Sequence, residues 1–148
     1  MVSIKIKKRY KFIAAVHLII TKKDKILLSL RKNTGWEDGK YSLIAGHVRG
    51  NETLDQAMLR EAKEEGGLKL NSGDLEFVHV MHRKANDGKR LDFFFRTNLV
   101  IRPKNVEPEK CQGLKWFKVN KLPKNIVAYV KKAIKLINKG IIYSNFGW

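Results

Sequence analysis

The stretch from Gly46 to Leu68 reads GHVRGNETLDQAMLREAKEEGGL. Gly46 opens it, Glu52 follows, then come the pairs Arg60-Glu61 and Glu64-Glu65, and Gly67-Leu68 closes it. The whole chain carries a formal net charge of +17, with 31 Lys and Arg against 14 Asp and Glu. A tight group of acids in so basic a chain needs a compensating partner. Thr53 to Glu65 has helical character: Leu54, Ala57, Met58, Leu59 and Ala62 supply apolar contacts, and most of the remaining residues are good helix formers. Asn51 or Thr53 supplies the capping oxygen at its start, and Gly66-Gly67 stops it.

On such a helix Glu61 lies one turn from Glu65 and nearly one turn from Glu64, so the three carboxylates project in one general direction. Leu54 and Met58 precede Glu61 and Glu65 on almost the same stripe, which aims the acids at the body of the protein. Like charges about 4 Å apart repel by roughly 1 kcal/mol in water and about 4 kcal/mol near a protein surface. Protons, arginine or metal can offset this. Arg60 neutralises one carboxylate, and the remainder suits a hard divalent cation with oxygen ligands, to which Glu52 can fold back. The competing reading is a solvated acidic helix face bridged to Lys63 and other lysines.

The pattern G-x5-E-x7-R-E-[apolar]-x-E-E-x-G-[apolar] is filled here by Gly46, Glu52, Arg60, Glu61, Ala62, Glu64, Glu65, Gly67 and Leu68. It resembles the signature of the Nudix hydrolase family, MutT-like members included. The Tyr41–Ala45 run into the box and Leu114-Lys115-Trp116-Phe117 near the end are also similar to the family. Two departures stand in the box's approach loops: Ala45 replaces a second glycine, and Arg49-Gly50-Asn51 replaces an acid-proline-glycine. The resemblance implies an α/β fold, an α/β/α sandwich with a mixed sheet between helices. It also implies hydrolysis of a nucleoside diphosphate linked to another group, with Mg²⁺ or Mn²⁺ as cofactor. By position, Glu61, Glu64 and Glu65 resemble the metal-binding acids, Glu52 an auxiliary acid, and the Gly46 carbonyl a further metal contact. Arg60 resembles the arginine that orients a helix glutamate, and a late loop acid often adds a metal ligand or base. Glu107 and Glu109 are the loop acids available, and Glu109 is taken as the candidate. The expected substrate is a small nucleotide, first a nucleoside triphosphate cleaved to monophosphate and pyrophosphate. Nucleotide sugars, other diphosphate conjugates and RNA 5′ ends are the alternatives.

At 148 residues the chain is expected to form a single domain, residues 1–148, with a core that needs no staples. One cysteine, Cys111, excludes an internal disulfide and is read as core filler. The start, MVSIKIKKRYK, lacks a continuous apolar h-region, and Phe12–Ile20 is broken by His17 and too short to span a bilayer. The expected location is cytoplasmic, with no membrane partner. The basic charge could serve nucleic acid. Its lysines are spread along the chain, and nucleic acid is therefore not the favoured partner; a binder should gather them in one continuous stripe.

Outward from the box, Tyr10–Thr21 and Ile26–Lys32 read as strands joined at Lys22–Lys25, and Asn33–Lys40 as a loop. Tyr41–Ile44 reads as a short strand, and Leu75–Lys84 and Arg90–Ile101 as strands joined by the hairpin signal Asn86-Asp87-Gly88. Leu114–Val119 is a further strand, and Asn125–Lys139 a helix ending at Gly140. Arg31, at a strand end, can hold a substrate phosphate or be an ordinary strand-end charge. Trp36 can stack on a base or anchor its loop. Asp92, amid Phe93, Phe94 and Phe95, can face substrate or pair with Arg90 or Arg83. His79 and His82, three apart on a strand, face opposite ways and do not share a metal.

Overall fold

The computed structural model describes residues 7–99 and 102–148. Its elements run β1 (Ile13–Lys22), β2 (Lys25–Arg31), β3 (Tyr41–Ser42), β4 (Ile44–His47), α1 (Leu54–Gly66), β5 (Glu76–Ala85), β6 (Gly88–Thr97), β7 (Cys111–Lys118), α2 (Ala128–Asn138) and β8 (Tyr143–Phe146). Strand β1 is central. It pairs antiparallel with β4 and parallel with β6, and touches β2 at Thr21–Lys22. β5 continues the sheet antiparallel to β6, and β8 closes that side parallel to β5. On the other side β2 pairs antiparallel with both β3 and β7.

The sheet is mixed, and each face carries one helix. Val16, Leu18 and Ile20 pack with Ala57, Met58 and Ala62 of α1. Ile19, Leu28, Met81 and Phe94 pack with Val130, Ala133, Ile134 and Ile137 of α2. β1 is therefore buried on both sides, which is why its sequence reads as a nearly unbroken apolar run. This is the α/β/α sandwich. No helix among the described residues is long and apolar enough to cross a membrane.

Thr53, not Asn51, caps α1. Its side chain accepts from Gln56 N–H (3.1 Å), while Gln56 Oε1 accepts from Thr53 N–H (2.9 Å), a capping box. The chain leaves α1 through Gly67 in the left-handed conformation (φ 62°). Several boundaries differ from expectation for identifiable reasons. The strand expected at Tyr41–Ile44 is split at Leu43, because Tyr41–Ser42 pairs with β2 whereas Ile44–His47 pairs with β1. Helix α2 starts at Ala128 and not Asn125, because Asn125 and Val127 bond their backbones to Tyr41. β7 begins three residues earlier than Leu114, at Cys111, which pairs with Arg31 through an irregularity in β2. β6 ends at Thr97; residues 100 and 101 of the expected strand lie outside the described residues, as do residues 1–6. Strand β8 was not expected at all.

Candidate active site

The antiparallel β1–β4 pairing places Gly46 opposite Val16 and delivers it to the side of α1. Gly46 has no room for a side chain. A Cβ there would lie 2.8 Å from Glu61 Cγ and nearer still to the Glu61 carboxyl carbon and Oε1. The glycine lets the Glu61 carboxylate press against the strand backbone.

Arg60 gathers the neighbouring acids. Its Nη2 and Nε donate to the two oxygens of Glu52 (2.7 and 3.0 Å), and its Nη1 donates to Glu61 Oε1 (2.6 Å) and Glu64 Oε2 (3.3 Å). Nη2 also donates to the His47 carbonyl (3.1 Å). Glu52 accepts a further bond from Arg49 N–H (2.8 Å). Arg60 first, then the Arg49 N–H, holds the Glu52 carboxyl at about 2. Both oxygens of Glu52 are thus committed, and in this arrangement it serves as the mount for Arg60.

Glu65 stands apart from that network. Among the described residues, its Oε2 accepts only the Ala45 N–H (3.1 Å). Burial pushes its pKa up to about 8; Ala45 opposes this, and the Glu61 and Glu107 carboxylates reinforce it. Burial likewise pushes Glu61 up, against the pull of Arg60. Two acids forced toward protonation, side by side and offering only oxygen, form a donor set that fits a hard divalent cation. Among the described residues no three His, Cys, Asp or Glu side chains converge as a finished cage. Arg60 holds Glu52, Glu61 and Glu64 in its own network. Residues able to hold a cation are therefore Glu61 and Glu65 beside the Gly46 backbone, with Glu64, whose side chain is about half exposed, within the same turn.

A cavity of about 760 Å³ adjoins this group. Gly46, Glu65 and Glu107 line it, together with Arg31, Arg83 and Arg90 and the rings of Trp36 and Tyr129. Arg31 Nε donates to the Trp36 carbonyl (2.9 Å), Nη2 donates to Thr34 Oγ1 (2.9 Å), and the guanidinium lies 4.8 Å from the Trp36 ring centroid. Arg31 therefore fixes the 33–40 loop while facing the cavity. Trp36 both anchors that loop and stands 44% exposed, its ring 6.2 Å from that of Tyr129.

Asp92 is fully buried. His17 Nε2 donates to Oδ1 (3.1 Å) and Arg83 Nε to Oδ2 (2.7 Å). Burial raises the Asp92 pKa, but the His17 and Arg83 bonds outweigh it and leave the carboxyl at about 2. Of the outcomes open to Asp92, pairing with Arg83 is the one found. Its oxygens are committed, and it holds the Arg83 guanidinium 3.8 Å over the Tyr129 ring in the cavity wall. Arg90 instead pairs with Asp87 and donates to His47 Nε2 (2.8 Å).

The late-loop acid that lines the cavity is Glu107; Glu109 does not. Glu109 sits on the exposed turn that brings the chain into β7, where its carbonyl accepts from Asn33 Nδ2 (3.4 Å). His79 is buried, bonded to the Ile141 carbonyl (2.7 Å) and Ser144 Oγ (2.7 Å). Cys111 is half-buried beside Ser29 Oγ (3.0 Å) and borders the cavity. Sequence reasoning missed His17, Arg83, Arg90 and Tyr129 as cavity residues. Arg83 and Arg90 were findable, because they pair directly across a hairpin whose turn is legible. His17, the polar break in an apolar strand, was a second available signal.

Fold and site together define an α/β/α domain in which Glu65 of the box helix and three arginines line one cavity of about 760 Å³. The NUDIX domain family model matches residues 11–137, and the chain belongs to the Nudix family. It is 34% identical over 110 residues to an ADP-ribose pyrophosphatase of Methanocaldococcus jannaschii, covering 74% of this chain and 64% of that protein. It is 28% identical over 114 residues to an oxidized purine nucleoside triphosphate hydrolase of Danio rerio, covering 72% of this chain and 66% of that one. The chain thus spans just under two thirds of these relatives. Among solved structures it is similar to a MutT NUDIX hydrolase from Burkholderia pseudomallei, with TM-score 0.76, 25% identity, and coverage of 85% of this chain and 98% of that one.

Proposed function

We propose that this chain hydrolyses the diphosphate linkage of a small nucleotide with Mg²⁺ or Mn²⁺. The first reading is a nucleoside triphosphate cleaved to monophosphate and pyrophosphate. The observation that carries the proposal is the shared cavity: the buried carboxyl of Glu65, three arginines and two aromatic rings line one space of about 760 Å³, within the range of small-ligand sites. Arginines suit phosphate oxygens, and Trp36 and Tyr129 offer faces for a base or sugar. Glu61 and Glu65 would hold the cation, with Glu64 from the same turn. Bound there, the cation would neutralise phosphate charge and lower the pKa of a coordinated water. Arg60 fixes Glu61 and Glu64, and Glu107 faces the same space as a candidate proton acceptor.

A nucleoside diphosphate joined to a second group is the second reading, supported by the 34% identity to the ADP-ribose pyrophosphatase. The test is phosphate and pyrophosphate release, with product identification, from nucleoside triphosphates, nucleotide sugars and ADP-ribose, with and without Mg²⁺. Metal-dependent turnover of at least one class is expected, and Glu64→Gln and Glu65→Gln should each lower kcat at least about 100-fold. No release from any class, with either metal, would refute the proposal.

A further inference from the structure

Away from the cavity, the β5–β6 hairpin carries a second surface. Lys84 and Lys89 pair directly across it, one rung from Arg83 and Arg90, and alternation turns them to the opposite face. There Tyr10, Phe12, His82 and Trp148 form a connected aromatic group. Tyr10 and Phe12 meet edge to face at 5.0 Å, Phe12 and His82 at 5.4 Å, and His82 and Trp148 lie 4.7 Å apart. The Lys89 ammonium sits 4.9 Å from the Tyr10 ring and 5.0 Å from the Trp148 ring, and Lys84 sits 5.6 Å from Trp148.

The rings are held by their polar tips. Tyr10 Oη accepts the Lys89 N–H (3.0 Å), and Trp148 Nε1 donates to the His82 carbonyl (3.2 Å). The approach of Trp148 requires glycine before it: Gly147 has φ 84°, and a Cβ there would lie 2.5 Å from the Lys84 carbonyl oxygen. Yet the rings are left open, Tyr10 at 57%, Trp148 at 58% and Phe12 at 44% exposure. Lys7, Lys8, Arg9 and Lys11, all exposed, flank Tyr10, and none of the residues building this surface is acidic.

Open aromatic faces interleaved with cations match one chemistry: unpaired bases stacked on rings with a phosphate backbone along lysines. We propose that this surface, formed by Tyr10, Phe12, Trp148, Lys84 and Lys89, docks single-stranded nucleic acid. The proposal does not depend on which nucleotide the cavity takes. The spread of lysine along the sequence hides this grouping, because the fold brings residues 7–12 and 146–148 onto one hairpin.

The test is fluorescence anisotropy of the full chain, in EDTA, with 3′-labelled RNA and DNA single strands, the matching duplexes, and anionic vesicles as a separate arm. Tyr10→Ala and Trp148→Ala leave the net charge unchanged. Each should weaken single-strand binding about 5-fold or more while leaving the salt slope and duplex binding unaltered. Trp148→Phe, which keeps a stacking face, should retain most of the affinity. Lys84→Gln with Lys89→Gln should lower the salt slope by about 0.7 per lysine, whereas Lys135→Gln on α2 should not reproduce the loss of affinity. Unchanged melting temperature and nucleotide turnover in the aromatic variants show that the fold and cavity are intact. The proposal is overturned if the aromatic variants bind single strands as the wild type does. It is also overturned if single strand and duplex are lost equally, or if only vesicle binding is lost.

Discussion

Gly46→Ala is the substitution that most directly tests the packing of strand β4 on the box helix. The added Cβ would lie 2.8 Å from Glu61 Cγ, and its three nearest atoms all belong to the Glu61 side chain beyond Cβ. Gly46 lies in a strand and its φ is not positive, so alanine meets no backbone strain. The whole penalty should therefore act through Glu61, whose buried carboxylate must leave Arg60 or push the strand away. Overpacking of this kind costs about 1–3 kcal/mol. The assay is a double-mutant cycle by urea denaturation with Gly46→Ala, Glu61→Ala and both together. Gly46→Ala should cost about 1–3 kcal/mol alone and within about 0.5 kcal/mol of nothing on the Glu61→Ala background, an interaction energy of about the full single-site cost. Equal cost in both backgrounds would refute the reasoning.

Other outcomes follow from the same geometry. Glu65 has a folded pKa of about 8, above the ordinary value of 4.5. The folded state therefore holds a proton that the unfolded state gives up between those values. Without metal, stability should fall as pH rises through that window, by at most about 1.4 kcal/mol per pH unit. That corresponds to about 4–5 °C per pH unit in melting temperature for a chain of 148 residues. Melting curves of wild type and Glu65→Gln in EDTA at pH 6, 7 and 8 check this, and parallel trends in the two proteins would disprove it. Asp92→Asn leaves Arg83 buried without its counter-charge and should lose about 3–5 kcal/mol, measured by urea denaturation; a loss under about 1 kcal/mol would contradict the buried pair. Glu107→Gln should reduce kcat by about 10-fold or more, whereas Glu109→Gln on the exposed turn should leave steady-state turnover unchanged, and the reverse order would return the role to Glu109.

The box was legible because its residues are locked at fixed spacing on one helix, where local geometry suffices to place Arg60, Glu61, Glu64 and Glu65 together. The β5–β6 hairpin was legible for the same reason, since Asn86-Asp87 is a local turn signal. Pairings between distant segments were not. Nothing in Tyr143–Phe146 announces a strand, because β8 exists only through its parallel pairing with β5. The same holds for Tyr129 and Trp36, which meet from a helix and a loop, and for Asp92, whose partners His17 and Arg83 come from two other strands. Glu107 and Glu109 are equivalent in sequence, and only the turn into β7 decides which one lines the cavity.

The central claim is that the buried Glu65, which stands outside the Arg60 network, holds a divalent ion together with its neighbour Glu61. Titrating the protein with Mn²⁺ while following the free-ion electron paramagnetic resonance signal tests it without any substrate. A saturable site that is lost in Glu65→Gln and retained in Glu109→Gln is the predicted result. Absence of a saturable site, or one indifferent to Glu65→Gln, would contradict the account.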